Sequence, residues 1–268
     1  MRHLLIITTL FLAGNSTLAY NPFWVHTGKK LISALTELNK NNSKEIEQYF
    51  ISQRIIKSDT TKELLGFGWK RWTPGKGGGY IAISAEFFYY HDSLVSYILT
   101  PELPEEKGLK RLYKKWYSDY FAYSRAEIQP FKFNETAILK PLKEYEGNAK
   151  NPPANIINYM TPHSGTMYGY AGGGVIMSNR KAFLEIRDSL TNDQVILLMY
   201  SINPASRFTA IEYYLKHKER FPSQKQIDQW IDLVFAETPV IKTMRGCFQV
   251  TETTDRLFPT HYMDKYNQ

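Results

Sequence analysis

Residues 80–90 read YIAISAEFFYY and residues 94–100 read LVSYILT. Both stretches are rich in β-branched and aromatic residues, which favour extended strands. Only His91, Asp92 and Ser93 separate them. This spacing predicts an antiparallel β-hairpin with a short turn.

Helices are predicted on both sides of this hairpin. Residues 27–40 place four apolar side chains on one helical face, and a second helix is predicted to run from Pro104 to about Tyr123. The apolar face of the first helix consists of Leu31, Ile32, Leu35 and Leu38. Residues 66–79 and 124–145 are predicted to be irregular.

The second half of the chain predicts an array of four short helices between residues 178 and 237. Thr191 and Ser223 each stand three residues before a glutamine, which is the pattern of a capping box. Asn203 followed by Pro204 is typical of an N-cap and a first helical position. With Arg207 and Ala210, this step loosely resembles the turn into the second helix of HEAT-like repeats. The resemblance covers one helix pair and implies packing only.

These elements predict an α+β protein. Region 20–150 contains a helix and the antiparallel hairpin, and region 151–268 is mainly helical with terminal strands around Gly246. The best linker candidate is the stretch GNAKNPPAN at residues 147–155. Because this break is short, we expect the two regions to pack as one unit.

Residues 1–19 have the pattern of a secretory signal peptide. A basic start is followed by the apolar run LLIITTLFLAG at residues 4–14 and by small residues up to Ala19, after which we expect cleavage. The protein is therefore expected to be secreted or periplasmic, with no transmembrane segment after cleavage. A single cysteine, Cys247, cannot form an internal disulfide, and we expect it to be buried.

Glycines are concentrated in two segments that also carry aromatic and cationic residues. Residues 66–79 and 165–174 hold eleven of the fifteen glycines that follow residue 19. Glycine lets the backbone approach a ligand closely, so a pocket between segments 66–79 and 163–174 is one interpretation, and mobile surface loops are the other. The binding candidates are Trp69, Arg71, Trp72, Lys76, Tyr168 and Tyr170, and the catalytic candidates are His163 and Ser164.

The helix that follows Pro104 carries a stripe of cations opposite its aromatic side. The stripe consists of Lys107, Lys110, Arg111, Lys114 and Lys115. It either contacts an anionic surface such as lipid or envelope polymer, or it is the solvated face of a helix packed on the core.

Composition and motifs exclude several classes of protein. The apolar share of 43% is too high for a disordered chain, and one cysteine excludes a Cys-rich zinc site. No P-loop, nucleophile elbow or His-Glu-x-x-His motif occurs, so neither a cofactor nor a metal is expected. Export and a net charge of only +7 disfavour nucleic acid as a partner.

The sequence therefore favours a non-catalytic binding module for an envelope glycan, an anionic surface or another envelope protein. The alternative is a secreted hydrolase that uses the pocket between the glycine-rich segments.

Overall fold

A computed structural model describes residues 21–41, 44–52, 62–102, 107–120, 130–142, 145, 151–170 and 172–259. The fold is α+β. The strands in this part of the chain are β1 (Glu63–Gly66), β2 (Trp69–Trp72), β3 (Gly75–Gly78), β4 (Ile81–Tyr90), β5 (Ser93–Glu102), β6 (Phe131–Phe133), β7 (Val240–Arg245) and β8 (Phe248–Thr253). The helices are α1 (Pro22–Asn41), α2 (Glu45–Ser52), α3 (Lys107–Trp116), α4 (Thr136–Leu139), α5 (Ala154–Met160), α6 (Ser178–Ile186), α7 (Asn192–Leu198), α8 (Pro204–Lys216), α9 (Gln224–Glu237) and α10 (Thr254–Leu257). The signal peptide predicted at residues 1–19 lies outside the described residues.

The predicted hairpin is confirmed and forms the centre of an antiparallel sheet. β4 and β5 pair from Ala82↔Glu102 to Tyr90↔Ser93. His91 and Asp92 both adopt left-handed backbone, with φ of 45° and 65°. Two such residues form the turn that matches the twist of a two-residue hairpin.

The sheet extends into residues 66–79, which were predicted to be a loop, and that prediction is wrong. β2 and β3 pair in succession with the same strand, so that Trp69 lies opposite Tyr90 and Gly75 opposite Ser84. Pro74 interrupts them, and its carbonyl accepts a hydrogen bond from the Ala85 amide at 3.0 Å. Glycine disfavours strands locally. Here the long exposed edge of β4 supplies partners that outweigh this preference.

The two faces of β4 serve different parts of the molecule. Ile81, Ile83, Ala85, Phe87 and Tyr89 alternate along one face and join a core that includes residues of α1, α2 and α3. The apolar face predicted for the first helix lies in this core. α1 begins at Pro22, earlier than predicted, because proline suits a first helical turn. The opposite face of β4 lies toward the helical region.

The helical array is present where it was predicted, from α6 to α9. Thr191 forms the predicted capping box with Gln194, and the Asn203 side chain accepts a hydrogen bond from the Ala205 amide at 3.0 Å. The capping box predicted at Ser223 is wrong. Ser223 has a left-handed backbone with φ of 57° and no capping bond from its hydroxyl, and its carbonyl accepts the Gln226 amide instead.

Three further predictions change in the structure. The helix predicted to reach Tyr123 ends at Trp116, and a short 3₁₀ turn follows it. Residues 124–145 were predicted to be irregular, yet they contain β6 and α4. Cys247, which was expected to be buried, is exposed at the tip of the β7–β8 hairpin. A tip position follows from Gly246, whose φ of +62° suits a tight turn.

The helical region meets the sheet through a buried apolar cluster, which includes Leu65, Phe88 and Ile202, and through the fully buried side chain of Arg207 of α8. Its guanidinium donates to the carbonyl oxygens of Leu65, Ser201 and Ile202, the last two at 2.8 and 3.1 Å. It also donates to Thr238 Oγ1 at 2.9 Å. A β-carbon on Gly66 would lie 2.2 Å from Thr238 Oγ1, so only glycine fits beside this contact.

Candidate functional site

The two glycine-rich segments approach each other at a group of charged side chains, which we call the junction network. It comprises Glu63, Arg71, Glu86, His163, Thr166 and Lys242. Arg71 lies on β2 directly opposite Glu63 of β1, so both side chains share the sheet face that lies toward the helical region. Arg71 Nη2 donates to Glu63 Oε2 at 2.7 Å and to Thr166 Oγ1 at 3.0 Å. These contacts join segment 66–79 to segment 163–174.

His163 lies beside a carboxylate, which is the arrangement that the hydrolase alternative requires. Its Nδ1 is 3.3 Å from Glu86 Oε2, and Arg71 Nη1 is 3.8 Å from the same oxygen. The imidazole also meets the ring of Phe88 edge to face. His163 borders an open cavity of ≈ 430 Å³ together with Asn158 and Glu185. The side chain of Ser164 lies outside the described residues.

The carboxylates of the junction network are held in their ionised form. Burial acts to raise the pKa of Glu63, but the charges and hydrogen bonds of Arg71 and Lys242 outweigh it, so this pKa is lowered. Lys242 Nζ is 2.9 Å from Glu63 Oε1. The pKa of Glu86 is also lowered, because His163 and Arg71 outweigh the effect of burial. Two acids therefore face two permanent cations and one imidazole, and neither acid is poised to donate a proton at neutral pH.

The cavity beside the junction network borders the second glycine-rich segment, through Thr166. This cavity has a volume of ≈ 270 Å³ and is bordered by Glu63, Thr166 and Lys242. None of its described lining residues belongs to segment 66–79. The reason is that this segment is paired in the sheet, so its backbone is not free to frame a pocket.

The tryptophans predicted to bind a ligand lie in packed positions. Trp72 is only 5% exposed and stacks on Phe87 in the core, which leaves no ring face for a ligand. Trp69 is half-buried and packs against Tyr90 at a centroid distance of 5.3 Å. Lys76 lies on β3 opposite Ile83, and its side chain is outside the described residues.

Tyr168 and Tyr170, by contrast, lead to an open cavity of ≈ 430 Å³, which we call the Tyr170 cavity. Tyr168 is buried, whereas Tyr170 is 48% exposed at the rim. Arg180 of α6 lies between them, with its guanidinium carbon 5.4 Å from the Tyr168 ring centre and 5.2 Å from that of Tyr170. The cations along this cavity are Arg180, Arg187 and Lys216, the acids are Asp188 and Glu212, and His217 completes the polar lining.

Glu212 anchors the wall of this cavity. It accepts hydrogen bonds from Arg180, from Tyr168 Oη at 2.6 Å and from Lys216 Nζ at 2.6 Å. Burial acts to raise its pKa, but these three donors outweigh burial and lower the pKa. The side chain of Arg180 is buried apart from a small fraction, and its Nε has no described hydrogen-bond partner. Arg180 is thus fixed in position, and this Nε is itself buried.

The cationic stripe lies on α3 as predicted from its spacing. Lys107, Arg111 and Lys115 are exposed, while Lys110 and Lys114 are half-buried. Among the described residues, none of the five lies within ion-pairing distance of an acid. The opposite side of the helix buries Tyr113 and Trp116 in the core.

Sequence reasoning did not find the residues that bring these sites together, namely Glu63, Glu86, Thr166, Arg180, Glu212 and Lys242. Most of their partners are distant in sequence. The local exception is Glu212, which pairs with Lys216 four residues later on α8. An indirect signal was the alternation along residues 80–90, which places Glu86 among apolar neighbours on a strand, where a charge needs a partner.

Within the described residues, no group of three or more His, Cys, Asp or Glu is arranged to hold a metal ion. The helices in this part of the chain include none with the length and apolar character needed to span a membrane. Comparisons of the chain with protein-family models, with curated proteins and with solved structures give no match.

Proposed function

We propose that the protein is an exported, non-catalytic binding module that holds an envelope glycan at the Tyr170 cavity. Export rests on the signal-peptide pattern of residues 1–19. The observation that carries the proposal is a half-exposed tyrosine beside a fixed, buried arginine at the rim of an open cavity.

This arrangement suits a saccharide. The free part of the Tyr170 ring offers an apolar face on which the C–H groups of a sugar ring can lie. The small exposed part of the Arg180 side chain can donate to a hydroxyl, carboxylate or phosphate oxygen in the cavity, and the hydrogen bond to Glu212 fixes its position. Three permanent cations against two acids favour a glycan that carries acidic groups.

The acids of the cavity favour binding over hydrolysis. Glycoside hydrolysis needs one carboxyl group that remains protonated near neutral pH. The pKa of Glu212 is lowered as described above, and that of Asp188 is lowered by its hydrogen bond and ion pair with Arg187. Neither carboxyl group in the described lining is therefore suited to act as the general acid.

Co-sedimentation with insoluble peptidoglycan tests this proposal, and the chain offers a matched control. Tyr170→Ala is expected to reduce retention about tenfold, because the variant loses the apolar face on which the sugar ring would lie. Tyr90 is exposed to a similar degree, 43%, but lies on the sheet away from the cavity. Tyr90→Ala should leave retention unchanged. Equal effects of the two variants, or no retention of the wild-type protein, would contradict the proposal.

A hydrolase centred on His163 is the second candidate function. The contact of 3.3 Å between His163 Nδ1 and Glu86 favours it, because a carboxylate at Nδ1 leaves Nε2 available to accept a proton from water. In this case the wild-type protein should release soluble fragments from peptidoglycan, and His163→Asn should abolish release. His91→Asn is the control, since Asn tolerates the left-handed turn at that position. Absence of any product from the wild-type protein would remove this candidate.

A further inference from the structure

Two exposed aromatic residues of α1 lie near α3, the helix that carries the cationic stripe, although they are far from it in sequence. α1 and α3 pack on the same core, and the exposed side chains of both helices face away from it. Phe23 and Trp24, in the first turn of α1, are 70% and 49% exposed. Trp24 packs edge-on against Tyr80 at 5.2 Å, and Tyr80 stacks on Trp116 of α3 at 4.9 Å. The half-buried ring of Tyr80 thus links the aromatic start of α1 to the core side of the helix that carries the stripe.

Their exposure is not a consequence of loose packing. The neighbouring Val25 is buried. A β-carbon on Gly79 would lie 1.8 Å from the Trp24 carbonyl oxygen, so the first turn of α1 packs closely against the backbone at Gly79. Phe23 in particular leaves most of a large apolar ring in water. An isolated exposed aromatic needs no explanation, but a pair beside a cationic face is typical of an interfacial surface.

The charges of α3 and of the turn after it are one-sided, although Glu102, Glu105 and Glu106 precede this helix in the sequence. Residues 107–120 contain five cations and a single acid, Asp119. That acid lies 3.8 Å from Lys29 Nζ of α1, so it is already matched by a sixth cation. Lys30 adds a further exposed cation on the face of α1 that carries Phe23.

We propose that this surface docks the protein on an anionic lipid bilayer. It consists of Phe23, Trp24, Lys107, Lys110, Arg111, Lys114 and Lys115, and we call it the Trp24–α3 surface. The cations contact lipid headgroups while Phe23 and Trp24 enter the boundary between headgroups and acyl chains. The half-buried stems of Lys110 and Lys114 allow their ammonium groups to extend toward that boundary.

A lipid bilayer accounts for both the cations and the exposed aromatic rings of the Trp24–α3 surface. A polyanion such as nucleic acid or an acidic polymer would use the cations, but it offers no apolar layer for Phe23. Cations and aromatic rings together predict binding that needs negative headgroups and also a hydrophobic interface. The site is separate from the Tyr170 cavity, so the proposal does not rest on glycan binding.

Co-sedimentation of the full chain with vesicles tests the proposal. Wild-type protein is expected to bind phosphatidylglycerol/phosphatidylcholine vesicles and to bind pure phosphatidylcholine vesicles far more weakly. The triple variant Lys110→Glu, Lys114→Glu, Lys115→Glu should weaken binding about a hundredfold, since each cation near such a surface contributes about 1 kcal/mol. Phe23→Ser should weaken it about tenfold while leaving the net charge unchanged.

Three matched variants separate this proposal from simpler effects. Reversal of the exposed Lys140, Lys181 and Lys225 to Glu gives the same net charge as the stripe variant and should leave most of the binding. Tyr170→Ala should bind vesicles normally, whatever its effect on glycan retention. Thermal unfolding followed by circular dichroism checks that every variant is folded. If the triple reversal does not fold, Phe23→Ser still tests the proposal.

The proposal is overturned if wild-type protein does not bind anionic vesicles or if both triple reversals weaken binding equally. It is also overturned if Phe23→Ser has no effect while heparin competes fully, because the surface would then bind any polyanion.

Discussion

Two arginines join the helical region to the sheet, and they do so in opposite ways. Arg207 is fully buried, and within the described residues its guanidinium donates to the carbonyl oxygens of Leu65, Ser201 and Ile202 and to the Thr238 hydroxyl. The side chain of Arg71 keeps 16% exposure and pairs with the carboxylates of the junction network.

The two arginines differ in burial and in the kind of acceptor they contact. Burial lowers the pKa of Arg207 to about 9, which still leaves it charged at neutral pH. Its described partners are polar but uncharged, so acid cannot remove them. Arg71 lies where water still reaches, and its carboxylate partners titrate. Loss of the Arg207 contact should therefore cost more stability, and this cost should not depend on acid pH. Loss of the Arg71 contact should cost less, and this cost should depend on acid pH.

Replacement of Arg207 is expected to have the largest effect on stability. Arg207→Leu leaves three carbonyl oxygens and Thr238 Oγ1 without this donor in a buried site. We expect the free energy of unfolding in urea to fall by about 3 kcal/mol, because several buried acceptors lose their donor while the cost of burying the guanidinium charge is also removed. Arg71→Leu, at a site that water reaches, should lower the free energy of unfolding by a smaller amount. A loss below about 1 kcal/mol for Arg207→Leu would mean that the buried acceptors find other donors.

Gly66 tests the same contact from the sheet side. Its φ of +84° is unfavourable for any β-carbon, and an added one would meet Thr238 Oγ1 at 2.2 Å and Arg207 Nη2 at 2.9 Å. Gly66→Ala is therefore expected to destabilise the protein by about 2 kcal/mol. The control is Gly75→Ala, where a β-carbon would meet nothing within 4 Å and stability should change by less than about 0.5 kcal/mol. Similar values for both variants would show that the Arg207 contact tolerates displacement.

The sequence predicts features that are local and misses those that topology creates. The hairpin and the caps at Thr191 and Asn203 follow from residues within a few positions of each other. The strands within 66–79 depend on β4 as a partner, which outweighs the preference of their glycines. Local propensity cannot weigh a partner that the fold brings from elsewhere.

The candidate site shows the same division. Tyr170 is marked by the local density of glycine and aromatic residues, and the structure places it at a cavity. Arg180 and Glu212, which form the wall of that cavity, are 32 positions apart and meet only because α6 packs on α8. Trp72 carries the same local marks as Tyr170 and yet lies in the core, because it falls opposite Phe87 on the buried face of the sheet.

The smallest expected effect is the acid sensitivity of the junction network, and it separates the two arginines most directly. Glu63 has a pKa below its ordinary value of 4.5 in the folded protein, so below that pH the unfolded chain binds more protons. The stabilisation that ionised Glu63 contributes is fully present above pH 4.5 and is lost as the pH falls through the folded pKa.

Glu63→Gln should therefore lower the free energy of unfolding by about 1 kcal/mol at pH 7. The difference between the variant and the wild-type protein should shrink as the pH falls below 4.5. Urea denaturation at a series of pH values measures this difference. The same series for Arg207→Leu should give a constant difference, because the described partners of Arg207 do not titrate in acid. If the difference for Glu63→Gln were also constant, ion pairing with Arg71 and Lys242 would not be what stabilises this contact.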